Sequence, residues 1–253
     1  MNRNLTLFLL LGGVGTGWGS TQVLGKWATS TGYQPFGLIF WQFVIATLVL
    51  GGVAVARGRS FQITRPAIRF AVVIAIIGTI IPNFTFYWAI TRLPAGIMSI
   101  VIAAVPMMAF PIALLIGMDR FSYARLAGLC AGLLGVALIA LPEASLPSAA
   151  MAVALPVALL GPLFYAFESN FVAWHGTAGL GAIQAMALSS AFGVVLTLPL
   201  TLGMGQWINP FVSFGLAEWS LVATATIHAL AYATYVWIAG AAGRSLPRRR
   251  PIS

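Results

Sequence analysis

The sequence predicts an all-α integral membrane protein with about eight transmembrane helices. Of its 253 residues, 60% are hydrophobic and only 7% are charged, whereas about one residue in four is charged in a soluble domain. Four acidic and thirteen basic residues are too few to cover the surface of a folded chain of this length. Lipid is therefore the expected medium around most of the chain.

Eight apolar stretches support this fold class. Each approaches the roughly 20 residues that a helix needs to cross a bilayer, and helices satisfy every backbone hydrogen bond within the segment. Breaks rich in Gly, Pro or Arg separate the stretches, at 32–35, 57–66, 92–96, 118–122, 142–147, 174–179 and 204–216. The predicted spans are 5–25, 36–56, 68–90, 95–117, 122–142, 149–173, 179–203 and 218–240.

The positions of the basic residues predict the orientation. With the N-terminus in the cytoplasm, eleven of the thirteen Lys and Arg residues lie on the cytoplasmic side, and only Lys26 and Arg92 lie outside. This agrees with the excess of positive charge in cytoplasmic loops. The net charge of +9 is thus orientation charge, and nucleic acid is not an expected partner because no soluble basic domain remains outside the spans.

Motifs for enzymatic chemistry are missing from the sequence. Residues 19–26 lack the spacing and the final Ser or Thr of a phosphate-binding loop, and no Gly-x-Ser-x-Gly nucleophile elbow occurs. His, Cys and carboxylate residues do not cluster at metal-ligand spacing. Cys130 is the single cysteine and is expected to be a buried packing residue. We expect no enzyme activity, no cofactor and no metal.

A weak internal repeat relates the third and eighth spans. Aligning Trp88 with Tyr235 places Gly96 on Gly243, and both runs end an apolar span with aromatic residues followed by small ones. The predicted units are a first repeat at 1–142, a second, incomplete repeat at 149–243 and a basic tail at 244–253. Five spans in the first unit would invert the second, as in many secondary transporters. Chance similarity between apolar segments is the alternative.

Four features carry a resemblance to a known family: Trp18-Gly19-Ser20, Lys26, Leu93-Pro94-Ala95-Gly96 followed by Pro106, and the glycine-rich segment 128–135. In this order the sequence resembles the drug/metabolite transporter superfamily, specifically its EamA-like branch. The resemblance implies a multi-pass carrier of the bacterial-type inner membrane, with ten helices in two inverted five-helix repeats. It also implies export of metabolites, amino acids or drugs.

The end of the sequence departs from that pattern. Two further spans would follow Gly243 if the second repeat matched the first, but the chain continues as Arg-Ser-Leu-Pro-Arg-Arg-Arg-Pro-Ile-Ser. One hypothesis is therefore a truncated or frameshifted transporter that lacks its last two helices and does not function.

Gly128-x-x-x-Gly132 followed by Gly135 predicts a close helix contact and leaves the oligomeric state undetermined.

Ionisable residues at membrane depth are costly and face a polar cavity or a partner by default. Glu168, in the sixth span, is the leading candidate for a proton-coupling or cation-binding group, with interface anchoring as the alternative. His228, in the eighth span, is either a titrating group or a hydrogen-bonded packing residue. Lys26 is expected to anchor to headgroups.

A larger set of aromatic and polar residues is expected to line a cavity for an amphipathic solute. The alternative is that the aromatic members form interfacial belts and the amides join helices. The candidates are Trp18, Gln22, Gln42, Asn83, Tyr87, Trp88, Glu168, Asn170, His228, Tyr232 and Tyr235.

Taken together, the residues and the resemblance predict secondary-active transport of a small metabolite, amino acid or drug-like solute by alternating access. The expected partners are the lipid bilayer, the solute and a proton or cation gradient. The alternatives are the truncated fragment and a membrane-embedded enzyme or structural membrane subunit.

Overall fold

The computed structural model describes residues 3–61, 63–140, 149–209, 211 and 214–243. Within these ranges the chain is helical and contains no strand. Ten α-helices and one π-helical segment follow one another along the chain. They are α1 (Arg3–Ala28), α2 (Pro35–Ala56), α3 (Arg65–Ala75), the π-helical segment Ile76–Ile80, α4 (Ile81–Ile90), α5 (Ala95–Ala103), α6 (Val105–Leu115), α7 (Tyr123–Ala140), α8 (Ala149–His175), α9 (Ala182–Gly203) and α10 (Leu216–Gly243).

These elements form eight helical segments in the described part of the chain, because α3, the π-helical segment and α4 are continuous and α5 is joined to α6. Six of the eight are long and apolar enough to cross a membrane, and α7 contains a shorter apolar helix at Tyr123–Gly135. The remaining helix, α1, has sufficient length at 26 residues, but its glycines and polar side chains lower its mean hydropathy. The predicted all-α membrane fold with eight helices is confirmed.

Prolines interrupt two of the segments. Pro82 lies in the first turn of α4, directly after the π-helical segment, and Pro106 lies in the first turn of α6, directly after Ala104 ends α5. A proline has no N–H to donate and its ring crowds the preceding turn. Both segments therefore change their helical geometry in mid-span, and both changes lie beside the cavity described below.

Helices from the two halves of the chain pack against each other. The principal pairs are α2 with α9, α1 with α10, α2 with α10 and α4 with α8, and the next are α6 with α8 and α3 with α9. Tyr87 in α4, Leu38 in α2 and Tyr232 in α10 are buried in the cores that result. The bundle is thus held together by contacts that cross from one half to the other.

Corresponding boundaries recur in the two halves. The displacement along the chain that places α2 on α9, both 22 residues long, also places Gly32 on Gly179 and Gly58 on Gly205. All four of these glycines have positive φ, and the same displacement places Trp88 on Tyr235. The division into repeats at 1–142 and 149–243 stays a prediction, and the tail at 244–253 lies outside the described residues.

Polar contacts tie the connections to the helices at one end of the bundle. The Trp41 indole donates to the Ile208 carbonyl at 2.9 Å, and the Phe36 N–H donates to Gln206 Oε1 at 2.8 Å. At the same end the Lys26 ammonium donates to the Ile90 carbonyl at 2.7 Å, so it caps the end of α4. The Tyr33 hydroxyl donates to the Glu218 carboxylate, and this hydrogen bond raises the pKa of Tyr33.

The face of α7 differs from expectation. A Cβ at Gly128, Gly132 or Gly135 would meet no other atom within 4 Å, so these glycines do not make the predicted close contact within the described chain. Cys130 is exposed, and the expectation of a buried thiol is wrong. The reason is that α7 packs mainly on α5 and leaves most of its surface uncovered.

Candidate functional site

A cavity of about 440 Å³ lies inside the bundle, lined by residues of α1, α4, α5, α6, α8 and α10 and by Gln42 from α2. Its volume is in the range of small-molecule binding sites. The bend at Pro82 and the break before Pro106 both contribute to its wall. The cavity therefore lies where helices of both halves meet and where two of them are irregular.

Buried polar atoms without a hydrogen-bond partner are concentrated at this cavity. Seven such side-chain atoms occur among the described residues, and all but Thr47 Oγ1 belong to residues that line it. Leaving a buried polar group unpaired costs about 1–3 kcal/mol, so a cluster of them indicates groups that pair with a ligand or water. The six are Gln22 Oε1, Asn83 Nδ2, Glu168 Oε1, Thr224 Oγ1, His228 Nε2 and Tyr232 OH.

Glu168 is held in α8 against the π-helical segment. Its side chain is only 4% exposed, and a Cβ built on Gly78 would lie 2.6 Å from Glu168 Cδ. The carboxylate thus occupies space that any side chain at position 78 would take. A π-helical turn is often found at functional sites, and here it presents bare backbone to Glu168, the one acidic residue that the described part of the chain contributes to the cavity.

Two hydrogen bonds join polar residues across the cavity wall. The Tyr87 hydroxyl donates to Gln42 Oε1 at 3.3 Å, linking α4 to α2. The Tyr165 hydroxyl donates to Asn83 Oδ1 at 3.5 Å, linking α8 to α4. These contacts orient the two amides, so that Asn83 Nδ2 remains available as a donor.

Aromatic rings from α1 and α10 form one side of the cavity. The Trp18 ring lies 5.6 Å from Tyr235 and 6.4 Å from both His228 and Tyr232, measured between centroids. His228 and Tyr232 are 5.8 Å apart. The cluster provides a broad π surface that also contains two tyrosine hydroxyls and an imidazole.

Nine of the eleven candidates from the sequence line the cavity. The nine are Glu168, His228, Trp18, Gln22, Gln42, Asn83, Tyr87, Tyr232 and Tyr235. Trp88 and Asn170 lie elsewhere. The Arg92 guanidinium lies 3.9 Å above the Trp88 ring, and the Asn170 amide donates to the Ala109 carbonyl at 3.1 Å, which joins α8 to α6. The functional role of each residue stays a prediction.

Sequence reasoning missed several lining residues, including Tyr165 and Thr224. Helical spacing contains the signal that would have found them. Tyr165 is three residues before Glu168 and Thr224 is four residues before His228, and residues at these spacings share a helix face. Within the described residues no group of three or more His, Cys, Asp or Glu side chains is arranged to hold a metal ion.

A helical membrane bundle around a buried, partly polar cavity is the architecture of a solute transporter. The model of the EamA-like transporter family matches residues 5–141, more than half of the chain, and the chain belongs to this family of membrane transporters of small solutes.

Two further comparisons bear on the chain. A solved structure described only as "Crystal structure of protein" is similar, with a TM-score of 0.62, 18% sequence identity, and coverage of 87% of this chain and 80% of that chain. At this identity the likeness concerns the fold alone. No curated protein matches the sequence.

Proposed function

We propose that this protein moves a small organic solute across the membrane by alternating access, driven by a proton or cation gradient. The observation that carries the proposal is the cavity itself, in which six buried polar atoms lack a hydrogen-bond partner among the described residues. In a core with a purely structural role, such groups would be hydrogen-bonded to each other. A site that binds and releases a polar solute needs them available.

A transporter that alternates between an inward-open and an outward-open conformation requires two units that can tilt against each other. The cross-half pairs α1–α10, α2–α9 and α4–α8 and the recurring helix boundaries support two inverted units, at 1–142 and 149–243. The cavity lies between them. In this arrangement, tilting of one unit would open the cavity alternately to the two sides of the membrane.

Glu168 is the proposed coupling group. It is the one acidic residue among the described residues that line the cavity, and it lacks a hydrogen-bond partner at Oε1. A carboxylate held at membrane depth without a partner is costly, so proton or cation binding and solute binding at this position are coupled. His228, whose Nε2 is also unpaired, lines the same cavity from α10.

We place the protein in a bacterial-type inner membrane with its N-terminus in the cytoplasm. The support is the asymmetry of the basic residues, because Arg57, Arg59, Arg65 and Arg69 flank one connection and the excess of Lys and Arg in short loops sets orientation. The export direction rests on the resemblance alone.

The test uses the purified chain in liposomes that contain a pH-sensitive dye. A proton gradient is imposed, pools of metabolites are added, and solute-dependent proton flux is recorded. Glu168→Gln is expected to reduce that flux about tenfold or more, because it removes the ionisable carboxylate at membrane depth.

Glu218→Gln is the matched control. It makes the same chemical change outside the cavity, and a glutamine amide can still accept the Gly215 N–H at its oxygen and donate its own N–H to the Tyr33 hydroxyl, so wild-type flux is expected. Solute-dependent flux that is equal in wild type and Glu168→Gln would remove the coupling role. No movement of any solute by correctly inserted wild-type protein would refute transport.

A further inference from the structure

The charges that surround the cavity are unbalanced. Of the three acidic residues that the structure describes, Asp119 pairs with Arg125 and Glu218 accepts hydrogen bonds from Tyr33 and from the Gly215 N–H. Glu168 alone has an unpaired buried carboxylate oxygen. None of the described residues that line the cavity is Lys or Arg, so the cavity contains an acid and no basic counter-charge.

We propose that the cavity binds an organic monocation, an amine or quaternary ammonium on an apolar body, with Glu168 as its counter-charge. This inference rests on the proposed function and specifies its substrate class. A buried charge is stable only when it is paired, and the bound cation supplies the pair that the chain does not.

The rest of the wall suits such a ligand. The rings of Trp18, Tyr165 and Tyr235 all line the cavity with Glu168, and aromatic faces attract ammonium groups, most strongly when the cation is desolvated. Tyr165 lies three residues before Glu168 on α8, a spacing that places both on one helix face, and the Tyr235 ring lies 5.6 Å from the Trp18 ring. The cationic centre would therefore lie between the carboxylate of α8 and the aromatic cluster of α1 and α10.

Other classes of solute fit less well. An anion would meet Glu168 and find no Lys or Arg among the described lining residues. A zwitterion would pair its ammonium but leave its own carboxylate facing only neutral donors such as Asn83 Nδ2. A bare inorganic cation needs a shell of about six oxygen ligands. The described wall of this cavity of about 440 Å³ is largely apolar and provides one carboxylate.

Among the described lining residues, only the second half of the chain contributes an acidic side chain to the cavity. The displacement that places α2 on α9 places Thr21 of α1 on Glu168 of α8, and both residues line the cavity. One half contributes a hydroxyl where the other contributes a carboxylate. The net charge of the site is therefore matched by one positive charge on the ligand.

The experiment measures equilibrium binding to the purified full chain in detergent by calorimetry, with four probes that share a phenyl ring and differ in charge. The probes are benzyltrimethylammonium, 2-phenylethanol, phenylacetate and phenylalanine. Benzyltrimethylammonium is expected to bind at least about tenfold more tightly than the neutral alcohol, a difference of about 1.4 kcal/mol, and phenylacetate is expected to bind most weakly.

Three variants complete the test. Glu168→Gln is expected to lose the preference for the cation while still binding 2-phenylethanol, which shows that it is folded. Glu168→Asp keeps the charge and is expected to retain the preference, and Glu218→Gln is expected to bind like wild type.

The proposal is overturned if the cation fails to bind wild type at millimolar concentration. It is equally overturned if phenylacetate or phenylalanine binds more tightly than the cation, or if Glu168→Gln keeps the preference. Binding is measured without a gradient, so its result is independent of transport. If the protein transports a different solute and does not bind the cation, only the proposed substrate class is wrong. If it binds the cation but transports nothing, only the proposed function is wrong.

Discussion

At the residue scale, the position of Glu168 depends on the missing side chain of Gly78. The carboxylate packs against the backbone of the π-helical segment, where a Cβ would come within 2.6 Å of Glu168 Cδ. Because that atom belongs to the end of a flexible side chain, a methyl group can displace it without moving a helix. We therefore expect a substitution of Gly78 to affect transport more than the stability of the protein.

Gly78→Ala tests this relation. We expect solute-dependent proton flux in liposomes to fall severalfold, while the thermal unfolding midpoint in detergent stays close to that of wild type. Gly52→Ala is the control, because it also lies in a helix and a Cβ there meets no other atom within 4 Å. Wild-type flux in Gly78→Ala would show that the carboxylate does not need this position.

The site could be predicted from the sequence only in part, and the limit is also a residue-scale matter. Polar and aromatic side chains in apolar spans are visible in any sequence, so Glu168, His228 and Trp18 were found. Neighbouring residues on a helix point about 100° apart, however, and the rotation of α4 decides that Tyr87 faces the cavity while Trp88 meets Arg92. Packing with other helices sets that rotation.

At the scale of elements, the start of α2 and the connection at 204–208 form a tight contact. A Cβ at Gly37 would clash with the Gln206 carbonyl oxygen, a backbone atom, and would lie 3.1 Å from Ile208 Cγ1. The hydrogen bonds of the Trp41 indole to the Ile208 carbonyl and of the Phe36 N–H to Gln206 Oε1 hold the same two elements together. The glycine is required here by close approach, because neither backbone can move aside independently.

Gly37→Ala is therefore expected to destabilise the protein by about 1–3 kcal/mol, the usual cost of overpacking, measured by thermal or denaturant unfolding in detergent. Gly51→Ala in the same helix meets no atom within 4 Å. Since alanine favours a helix over glycine by about 0.5–1 kcal/mol, the control is expected to be neutral or stabilised. Equal stability of the two variants would contradict the contact.

The break in the third span was not predicted, although its boundaries were. The predicted span at 68–90 agrees with the observed segment Arg65–Ile90 because length and hydropathy are local properties. The π-helical segment before Pro82 depends on how the freed backbone groups are accommodated by α8 and α9, which pack against it. The sequence contains the proline, but it does not show how neighbouring helices accommodate the freed backbone groups.

At the scale of the whole molecule, the proposed orientation in the membrane rests on the distribution of Lys and Arg between the connections. In a Cys130→Ala background, Ser30→Cys and Ser60→Cys place single thiols at exposed positions in the first two connections. A membrane-impermeant maleimide is expected to label Ser30→Cys in intact cells, and Ser60→Cys only after the membrane is permeabilised. The opposite labelling pattern would reverse the proposed topology.

The sequence by itself determined the medium, the number of helices and their approximate bounds, because a bilayer imposes length and hydropathy on each segment separately. It also predicted an internal repeat, through the alignment of Trp88 with Tyr235. Its family followed from motifs in the first half of the chain, and the family model matches that half.

Only the tertiary structure decided which helices meet and what their facing sides enclose. The pairing of α1 with α10 and of α4 with α8 brings Trp18, Glu168 and His228 around one cavity, although they are far apart in the sequence. Such pairings depend on the shapes of helix faces summed over many weak contacts, and no single segment contains that information. The lone carboxylate among aromatic rings is therefore a product of packing.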